Sequence, residues 1–347
     1  MQIAVIGAGL MGHGIALTMA RAGHSVVVTD PVAAARSALH ARVADSLRLM
    51  GATDAVDTLA RIAVAATVPE AVARADFVFE AAPEKMPLKQ AIFAEVEAAA
   101  PSGAMLCSNT SVMPITEIMS GLRNKTRALG THWWNPPHLI PLVEVIRTEA
   151  TTEVAMDATM ALLAQAGKTP VRVEKDVPGF IGNRLQHALW REAISLVERG
   201  ICDAAAVDAV VKASFGRRLA VLGPLENADL VGTDLTLDIH NTVLADLEAR
   251  RGPSPMLQAM VADGRLGMKS GQGFRAWTPE QAKALREKVV SHTPSMSDAC
   301  PIPPTISPHR PSLRPRRGPR SCTCMRGGRR TVVSGSTPTT LRRSCHG

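Results

Sequence analysis

The 347-residue sequence contains no apolar run that approaches the length of about 18 residues needed to cross a membrane. No basic segment precedes the first apolar run, so we expect no secretory signal peptide. A glycine-rich segment begins as early as Gly7, which leaves no room for a transit peptide. These absences favour a cytoplasmic protein that does not associate with membranes.

Cysteine is scarce before residue 291, where only Cys107 and Cys202 occur. Two isolated cysteines do not make a disulfide framework, and we expect both to be reduced, buried thiols. The histidines do not recur at the spacings that are typical of metal ligands. We therefore predict no metal site.

Acidic residues are nearly absent from residues 291–347, which contain ten arginines, a single aspartate and no lysine or glutamate. The segment carries a formal charge of +9, so the chain's total of +8 leaves −1 for residues 1–290. Its Pro-, Arg-, Ser- and Thr-rich composition predicts disorder, because little apolar surface is available for burial. It has no interleaved aromatic residues and no recognition motif, so we expect no nucleic-acid partner.

Three glycines near the N-terminus, Gly7, Gly9 and Gly12, have the G-x-G-x-x-G spacing. They follow an apolar, β-branched run at 3–6 and precede a predicted helix at 15–22. In such a strand–turn–helix unit the first glycine permits the tight turn and the second lets a pyrophosphate approach the backbone. The third allows close packing of helix and strand. The segment predicts a dinucleotide-binding site.

A second predicted strand, 25–29, ends at Asp30, where a carboxylate can accept the hydroxyls of a ribose. No basic residue precedes Arg36, and an acid at this place repels a 2′-phosphate, so NAD is favoured over NADP. Backbone N–H groups at the start of the first helix face the phosphates. The residues expected to contact the cofactor in this region are Gly7, Ala8, Gly9, Leu10, Met11, Gly12 and Asp30.

Strands and helices continue to alternate up to residue 177, which indicates a doubly wound (Rossmann-type), mostly parallel sheet of the α/β class. Further strands are predicted at 62–65, 75–80, 104–108, 127–133 and 169–173, and helices at 33–50, 55–60, 85–100 and 152–166. Beyond Asp176-Val-Pro-Gly179 only helices are predicted, at 180–199, 203–214, 234–250 and 255–262. We expect an NAD-binding domain at 1–177, an all-helical domain at 178–290 and a tail at 291–347.

The segment 128–146 combines a predicted strand, an Asn-Pro-Pro turn and a second apolar, strand-like run. If the connection is centred near His138, then His132 and Glu144 face each other across its two arms. A carboxylate on one imidazole nitrogen fixes the tautomer and stabilises the protonated ring, which leaves the other nitrogen for proton transfer. A structural histidine with an accidental acidic neighbour is the alternative. A nicotinamide nearby favours the catalytic interpretation.

Other polar residues follow the predicted strand ends. Ser111 and Asn109 come after the fifth strand, at the edge where open α/β sheets bind ligands. They suit a substrate oxygen or the cofactor, although a turn or helix cap explains a serine here almost as well. Asn183 lies at the start of the long helix after the domain boundary. Its side chain either points over the cleft or only caps that helix. Glu84 and Lys89 follow the fourth strand, either as cofactor contacts or as a solvated helix start.

Several linked motifs resemble the L-3-hydroxyacyl-CoA dehydrogenase family over roughly residues 1–280. They are Gly7-Ala-Gly-Leu-Met-Gly-His-Gly-Ile-Ala, Ser108-Asn-Thr-Ser111, His132-x-x-Asn135-Pro with Leu142-Val-Glu144-Val, Pro178-Gly-Phe-Ile-Gly-Asn183-Arg and Gly271-Gln-Gly-Phe274. The resemblance implies an NAD-dependent enzyme of fatty acid metabolism that interconverts an L-3-hydroxyacyl-CoA and its 3-keto form. It also implies a homodimer formed through the helical domain.

The resemblance assigns roles to individual residues. It implies that His132 is the acid/base and Glu144 its partner, and that Ser111 and Asn183 hold the substrate oxygen. It also implies that Asn135, Glu84 and Lys89 contact NAD, and Ser46 matches a family position that contacts substrate.

Two departures bear on the substrate. The stretch after Asp30 lacks the lysines with which the family's helical arm grips CoA, and Met50-Gly-Ala-Thr53 stands there instead. Pro141-Leu-Val-Glu, Ala188-Leu-Trp-Arg-Glu-Ala and Leu222-Gly-Pro-Leu-Glu are more similar to the carnitine and gulonate dehydrogenase branch. A free 3-hydroxy acid is therefore the alternative substrate, and a non-catalytic, crystallin-like NAD-binding protein is the alternative from another class.

Overall fold

A computed structural model describes residues 1–292, so the predicted tail falls outside the described residues from position 293 onward. Eight strands form one sheet in the order β3-β2-β1-β4-β5-β6-β7-β8, and only the β6–β7 pair is antiparallel. The strands are β1 Gln2–Ile6, β2 Ser25–Thr29, β3 Ile62–Val64, β4 Phe77–Glu80, β5 Met105–Ser108, β6 Ala128–Trp133, β7 Leu142–Arg147 and β8 Thr169–Val173. The predicted doubly wound, mostly parallel sheet is confirmed.

Helices flank the sheet, and further helices follow its last strand in the sequence. Those that accompany the sheet are α1 Leu10–Arg21, α2 Ala33–Ser37, α3 Leu39–Leu49, α4 Ala55–Ala60, α5 Val68–Val72, α6 Met86–Ala99, α7 Ile115–Ile118 and α8 Glu153–Gln165. Those that follow it are α9 Gly182–Glu198, α10 Ala204–Ala213, α11 Pro224–Val231, α12 Thr233–Val243, α13 Pro255–Ala262 and α14 Pro279–His292. No helix in residues 1–292 is long and apolar enough to span a bilayer. The domain boundary after residue 177 stays a prediction.

The sheet carries a core on each face because its strand residues alternate. Ile3 and Val5 of β1 point into one core, which α1, α3 and α8 cover. Ala4 and Ile6 point into the other, which α5, α6 and α7 cover. Burial on both faces is what a parallel sheet requires, and the continuous apolar runs in the sequence reflect it.

Two predicted helices have different bounds in the structure. The helix expected at 33–50 is divided at Ala38, because α2 buries no residue whereas α3 packs Leu39, Val43 and Leu47 into the core. The helix expected at 234–250 ends at Val243. Beyond it the chain turns back to α9, where the Glu248 N–H donates to Glu192 Oε2 at 2.7 Å.

Three further helices, α5, α11 and α14, were not predicted from the sequence. For α11 a signal was available, because Gly223 is followed by Pro224 and by Glu226, whose carboxylate accepts from the Gly223 N–H at 2.8 Å. Proline in the first turn and an acid that caps the preceding residue are typical helix starts.

The β6–β7 connection spans only residues 134–141. A parallel crossover needs a dozen or more residues, so the chain can only return antiparallel to β6. The carboxyl ends of β1, β4, β5 and β6 lie at one edge of the sheet because these strands are parallel. Polar residues at those ends are therefore brought together.

The turn after β1 is tightly packed at two of its three glycines. Gly7 has a φ of 109°, in the left-handed region that favours glycine. A Cβ on Gly12 would lie 1.7 Å from the carbonyl oxygen of Gly7, so α1 approaches the turn without room for a side chain. A Cβ on Gly9 would meet no atom within 4 Å. Gly9 therefore borders open space.

This difference between the glycines predicts a difference in stability. We expect Gly12→Ala to lower the free energy of unfolding by about 1–3 kcal/mol, since the helix must move away from the turn. Gly9→Ala, the matched control, should change it by less than about 0.5 kcal/mol. Urea denaturation followed by circular dichroism measures both, and equal stability of the two variants would contradict the packing described here.

Candidate active site

A buried histidine–glutamate pair lies near the carboxyl end of β6. The β6–β7 register sets His132 directly opposite Glu144, and His132 Nδ1 lies 2.8 Å from Glu144 Oε2. Their exposed fractions are 4% and 1%. The other oxygen of Glu144, Oε1, accepts from the N–H groups of Ile181 at 2.8 Å and Gly182 at 3.0 Å. Glu144 thus joins the histidine to the start of α9.

The surroundings of Glu144 keep it ionised. Burial by itself raises the pKa of a carboxyl group, but the hydrogen bond from His132 and those from the backbone at Gly182 and Ile181 outweigh it and lower the pKa of Glu144. Because an ionised carboxylate only accepts, His132 Nδ1 carries a hydrogen. In the neutral ring, Nε2 is then the nitrogen that can take up a proton.

Aromatic side chains surround the imidazole. The ring centroid of His132 lies 5.2 Å from that of Trp134 and 5.7 Å from that of Phe180. A Cβ on Gly182 would lie 2.4 Å from the Trp134 ring, so α9 begins in direct contact with this wall. Packing of this kind holds the ring in one orientation.

Both backbone groups of Ser111 are hydrogen-bonded to neighbouring side chains. Its N–H donates to Glu84 Oε1 at 2.9 Å, and its carbonyl oxygen accepts from Asn183 Nδ2 at 2.8 Å. The Thr110 hydroxyl also donates to Glu84 Oε1. Ser111 is exposed, and its hydroxyl makes no hydrogen bond within residues 1–292. The structure therefore brings Ser111, Asn183 and Glu84 together and leaves one hydroxyl available.

Glu84 is ionised in this arrangement. Burial raises the pKa of this carboxyl group, but the Thr110 hydroxyl, the Lys89 charge and the N–H groups of Ser111 and Val112 together lower it. A negative charge is therefore fixed beneath the Ser111 loop.

Lys89, which the sequence places among the cofactor contacts, lies inside the protein with 1% of its side chain exposed. Its Nζ donates to Glu80 Oε1 at 2.6 Å and to the Ala82 carbonyl at 3.2 Å, and lies 3.4 Å from Glu84 Oε2. Ser108 Oγ donates to the other oxygen of Glu80 at 2.7 Å. In this structure Lys89 contacts these carboxylates and no open surface.

The asparagines differ in accessibility. Asn109 is buried, and its Oδ1 accepts from the Trp133 N–H at 2.9 Å. Asn135 is exposed and precedes a cis peptide bond to Pro136. Of the two, only Asn135 is exposed to solvent.

The glycine-rich turn fits the pyrophosphate of NAD. The first N–H groups of any α-helix lack an intrahelical partner, and in α1 no side chain caps them and no acidic residue lies in the first turn. The open space above Gly9 leaves room for an anion beside them. Asp30, at the end of β2, accepts from the Ala8 N–H at 2.9 Å and the Val32 N–H at 2.9 Å.

Two residues near this turn were missed by the sequence analysis, His13 and Arg42. His13 Nδ1 lies 3.0 Å from the Gly9 carbonyl oxygen, which can only accept, so this nitrogen carries a hydrogen. Burial, with the Arg42 charge, lowers the pKa of His13, and its Nε2 lies 3.3 Å from Ser46 Oγ. In the neutral ring Nε2 accepts, so the Ser46 hydroxyl donates to it. The one available signal was the spacing of Arg42 and Ser46, four residues apart on one helix face.

No group of three or more His, Cys, Asp or Glu side chains that could hold a metal lies in residues 1–292. A dinucleotide-binding turn at the same sheet edge as an ionised glutamate and its histidine defines an NAD-dependent oxidoreductase. Family models described as "3-hydroxyacyl-CoA dehydrogenase, NAD binding domain" and "3-hydroxyacyl-CoA dehydrogenase, C-terminal domain" match residues 2–177 and 179–277. The chain belongs to the 3-hydroxyacyl-CoA dehydrogenase family.

Relatives within the family act on different substrates. The chain is 36% identical over 288 residues to a 5-formyl-3-hydroxy-2-methylpyridine 4-carboxylate 5-dehydrogenase of Mesorhizobium japonicum, covering 82% of this chain and 93% of that enzyme. It is 38% identical to a probable 3-hydroxybutyryl-CoA dehydrogenase of Bacillus subtilis, covering 79% and 96%. It is also 38% identical to an L-carnitine dehydrogenase of Streptomyces griseus, covering 67% and 70%.

A solved structure is similar along most of the chain. The crystal structure of a 5-formyl-3-hydroxy-2-methylpyridine 4-carboxylic acid 5-dehydrogenase, described as an NAD+-dependent dismutase, superimposes with a TM-score of 0.78 at 34% identity. The match covers 84% of this chain and 95% of that one. The family's fold therefore extends over both the sheet and the helices that follow it.

The contacts of Glu144 predict the effect of removing its charge. Because its folded pKa is lowered, the carboxylate stabilises the fold above the unfolded value of about 4.3, and this contribution is lost as the pH falls through the folded pKa. We expect Glu144→Gln to lower the free energy of unfolding at pH 7 by about 1–3 kcal/mol. Its stability should also decline less than that of the wild type as the pH falls below about 4.3.

Chemical denaturation at a series of pH values measures this effect. Glu149→Gln, at an exposed position just after β7, is the control and should follow the wild-type curve. If the free energy of unfolding of Glu144→Gln declined at acidic pH as steeply as that of the wild type, Glu144 would not carry this charge.

Proposed function

We propose that the protein oxidises the hydroxyl group of an L-3-hydroxyacyl-CoA to a ketone with NAD, and catalyses the reverse reduction. The observation that carries the proposal is the buried His132–Glu144 pair, 2.8 Å between nitrogen and oxygen, at the sheet edge that also bears the dinucleotide turn. The relationship to a probable 3-hydroxybutyryl-CoA dehydrogenase supports the choice of substrate.

His132 is the acid/base in this proposal. Bound NAD supplies the hydride acceptor, and the chain's own residues manage the proton. His132 Nδ1–H stays bonded to Glu144, so Nε2 takes the proton of the substrate hydroxyl and returns it in the reverse direction. The negative charge of Glu144 stabilises the charged imidazole that results more strongly than a neutral hydrogen-bond acceptor would.

Ser111 and Asn183 position the substrate oxygen. The free hydroxyl of Ser111 donates to that oxygen, and the Asn183 amide, already bonded to the Ser111 carbonyl, closes the same side of the site. Donors that meet an oxygen as its charge develops are worth about 10²-fold each. Ser46, on α3, contributes a further substrate contact.

The cofactor lies along the glycine-rich turn. We assign it direct contacts with the first-turn N–H groups of α1, with Asp30 and with the exposed Asn135 and Glu84. Asn109 and Lys89 act from beneath this surface, Asn109 by holding the backbone of Trp133 and Lys89 by holding Glu80 and Glu84.

Replacement of His132 tests the chemical assignment. We expect His132→Gln to lower kcat by about 10²–10⁴-fold, because a general base contributes that much, while the Kd for NADH changes little. His24→Gln, at the opposite end of the strands just before β2, is the control and should keep its activity. Steady-state kinetics and NADH fluorescence titration measure the two quantities, and unchanged turnover in His132→Gln would remove the assignment.

A free 3-hydroxy acid is the second candidate substrate, and the arm formed by α2 and α3 favours it. No lysine occurs between residues 31 and 60. Arg36 Nη1 is bonded to the Asp30 carbonyl at 2.5 Å, and Arg48 pairs with Asp45 at 3.0 Å. The cationic side chains of this arm are therefore three arginines, of which Arg48 is paired with an acid while Arg36 and Arg42 each donate to a backbone carbonyl near the glycine-rich turn. The relationship to an L-carnitine dehydrogenase supports the same substrate.

A matched pair of substrates separates the two candidates. We expect NADH formation from L-3-hydroxybutyryl-CoA with a kcat/KM well above that for L-3-hydroxybutyrate, which differs only in lacking CoA. Carnitine and gulonate complete the panel. Turnover of the free acids alone would establish the second candidate, and NADH binding without turnover of any substrate would point to a non-catalytic protein.

We also propose that the protein is a homodimer formed through its later helices. Helices α10, α11 and α12 bury no residue, and Trp190, Leu225 and Leu230 are 48%, 80% and 72% exposed. Large apolar side chains that are exposed on successive helices are typical of a contact between chains. A second copy is the occupant that the family resemblance implies.

Sedimentation analysis tests the dimer. We expect the wild type to sediment at twice the mass of one chain and Leu225→Asp with Leu230→Asp to shift it towards the monomer, because charges cannot be buried unpaired. Val56→Asp is the control, since Val56 is 82% exposed on α4, one of the helices that accompany the sheet. A monomeric wild type would exclude the proposal.

A cytoplasmic location completes the proposal. Cys107 and Cys202 are both free thiols; Cys107 is fully buried, whereas Cys202, which was also expected to be buried, is half-buried. Unpaired cysteines are the usual state in a reducing compartment. Cell fractionation with an antibody to the full chain would test the location directly.

A further inference from the structure

Arg42 lies against the glycine-rich turn, although it belongs to the arm that follows β2. It is on α3, and its Nη1 donates to the carbonyl oxygen of Ala8 at 2.8 Å. The N–H of the same Ala8 is held by Asp30 Oδ2 at 2.9 Å. The guanidinium group is therefore fixed beside the turn by a backbone contact, close to Asp30, the residue expected to bind the ribose.

The charge of Arg42 has no acidic partner within residues 1–292. Asp45, one turn further along α3, pairs with Arg48 at 3.0 Å. A guanidinium group has five N–H donors in a planar fork, and the contact to Ala8 uses one of them. Arg42 is also exposed, so its remaining donors are open to a ligand.

The donors that remain border a cavity. A cavity of about 490 Å³ is lined by Gly9, Leu10, His13, Arg42 and Asp45. Gly9 and Leu10 begin α1, whose first N–H groups lack intrahelical partners and whose dipole favours negative charge. Cationic and N–H donors thus approach the same space from two sides. Asp45 is the one acidic side chain at its rim, and Arg48 offsets its charge.

We propose that the guanidinium group of Arg42 binds the pyrophosphate of the dinucleotide, opposite the N–H groups at the start of α1. The inference rests on the proposed position of the cofactor along the glycine-rich turn. A fork of N–H donors matches paired phosphate oxygens. An anionic group of the substrate is the other candidate ligand, because Ser46 lies one turn along α3. The anchor on Ala8, inside the turn itself, favours the cofactor.

Binding measurements on the full chain test the assignment independently of turnover. Arg42→Gln removes the charge but retains a donor for the Ala8 carbonyl, and Arg42→Lys retains the charge but not the fork. Arg61→Gln is the matched control, because Arg61 is also exposed and also donates to one backbone carbonyl, that of Asp57 at 3.1 Å. The probes are NADH and ADP-ribose, which keeps the pyrophosphate and lacks the nicotinamide.

We expect Arg42→Gln to raise the Kd of both NADH and ADP-ribose about tenfold or more, as the loss of a charge-assisted contact requires. Arg42→Lys should recover part of the affinity, and Arg61→Gln should bind like the wild type. Added salt should weaken binding to the wild type more than to Arg42→Gln, because an exposed ion contact is screened. Thermal melts that match the wild type show that each variant is folded.

An unchanged Kd for NADH and ADP-ribose in Arg42→Gln would overturn the inference. If the KM for L-3-hydroxybutyryl-CoA were raised in the same variant, the charge would lie on the substrate side. Failure of the wild type itself to bind NADH would instead count against the proposed function, so the two failures are distinguishable.

Discussion

The carboxylate of Glu144 is the contact on which the rest of the site depends. One of its oxygens holds His132 Nδ1, and the other holds the first N–H groups of α9. The imidazole orientation and the entry of the helical part are therefore set by the same buried charge. Asn183 lies in the first turn of α9, so its approach to Ser111 depends on this carboxylate as well.

A second buried carboxylate, that of Glu80, also joins neighbouring elements at the carboxyl ends of the strands. Glu80 ends β4 and ties Lys89 of α6 to Ser108 of β5. Burial of two charged side chains is costly unless each is paired and hydrogen-bonded, and here each has several partners. The result is a rigid base for the loops that carry Glu84 and Ser111. Rigidity of this kind keeps a reacting group in place without a contact to the ligand.

Local sequence signals predicted most of the sheet and the central pair of the site. Apolar, β-branched runs predicted the strands, and the Asn-Pro-Pro connection predicted that His132 and Glu144 face each other across β6 and β7. The division of the helix at Ala38 was not predictable, because its cause is the burial of Leu39 by distant parts of the chain. The contacts of Arg42 and His13 were missed for the same reason, since they form only when α3 packs beside the turn. The burial of Lys89 likewise depends on Glu80, nine residues away in the chain.

The antiparallel pairing of β6 with β7 has a consequence for how such an enzyme can change its substrate. His132 and Glu144 are matched by the hydrogen-bond ladder between the strands, and the length of the connecting segment 134–141 helps to fix its register. Side chains of that segment other than Trp134 and Asn135 can therefore be exchanged during divergence, provided that the ladder is unshifted. A slip by one residue would turn the histidine to the opposite face. The residues that transfer the proton are thus positioned by the sheet, whereas the residues that border the site can change and so alter the substrate.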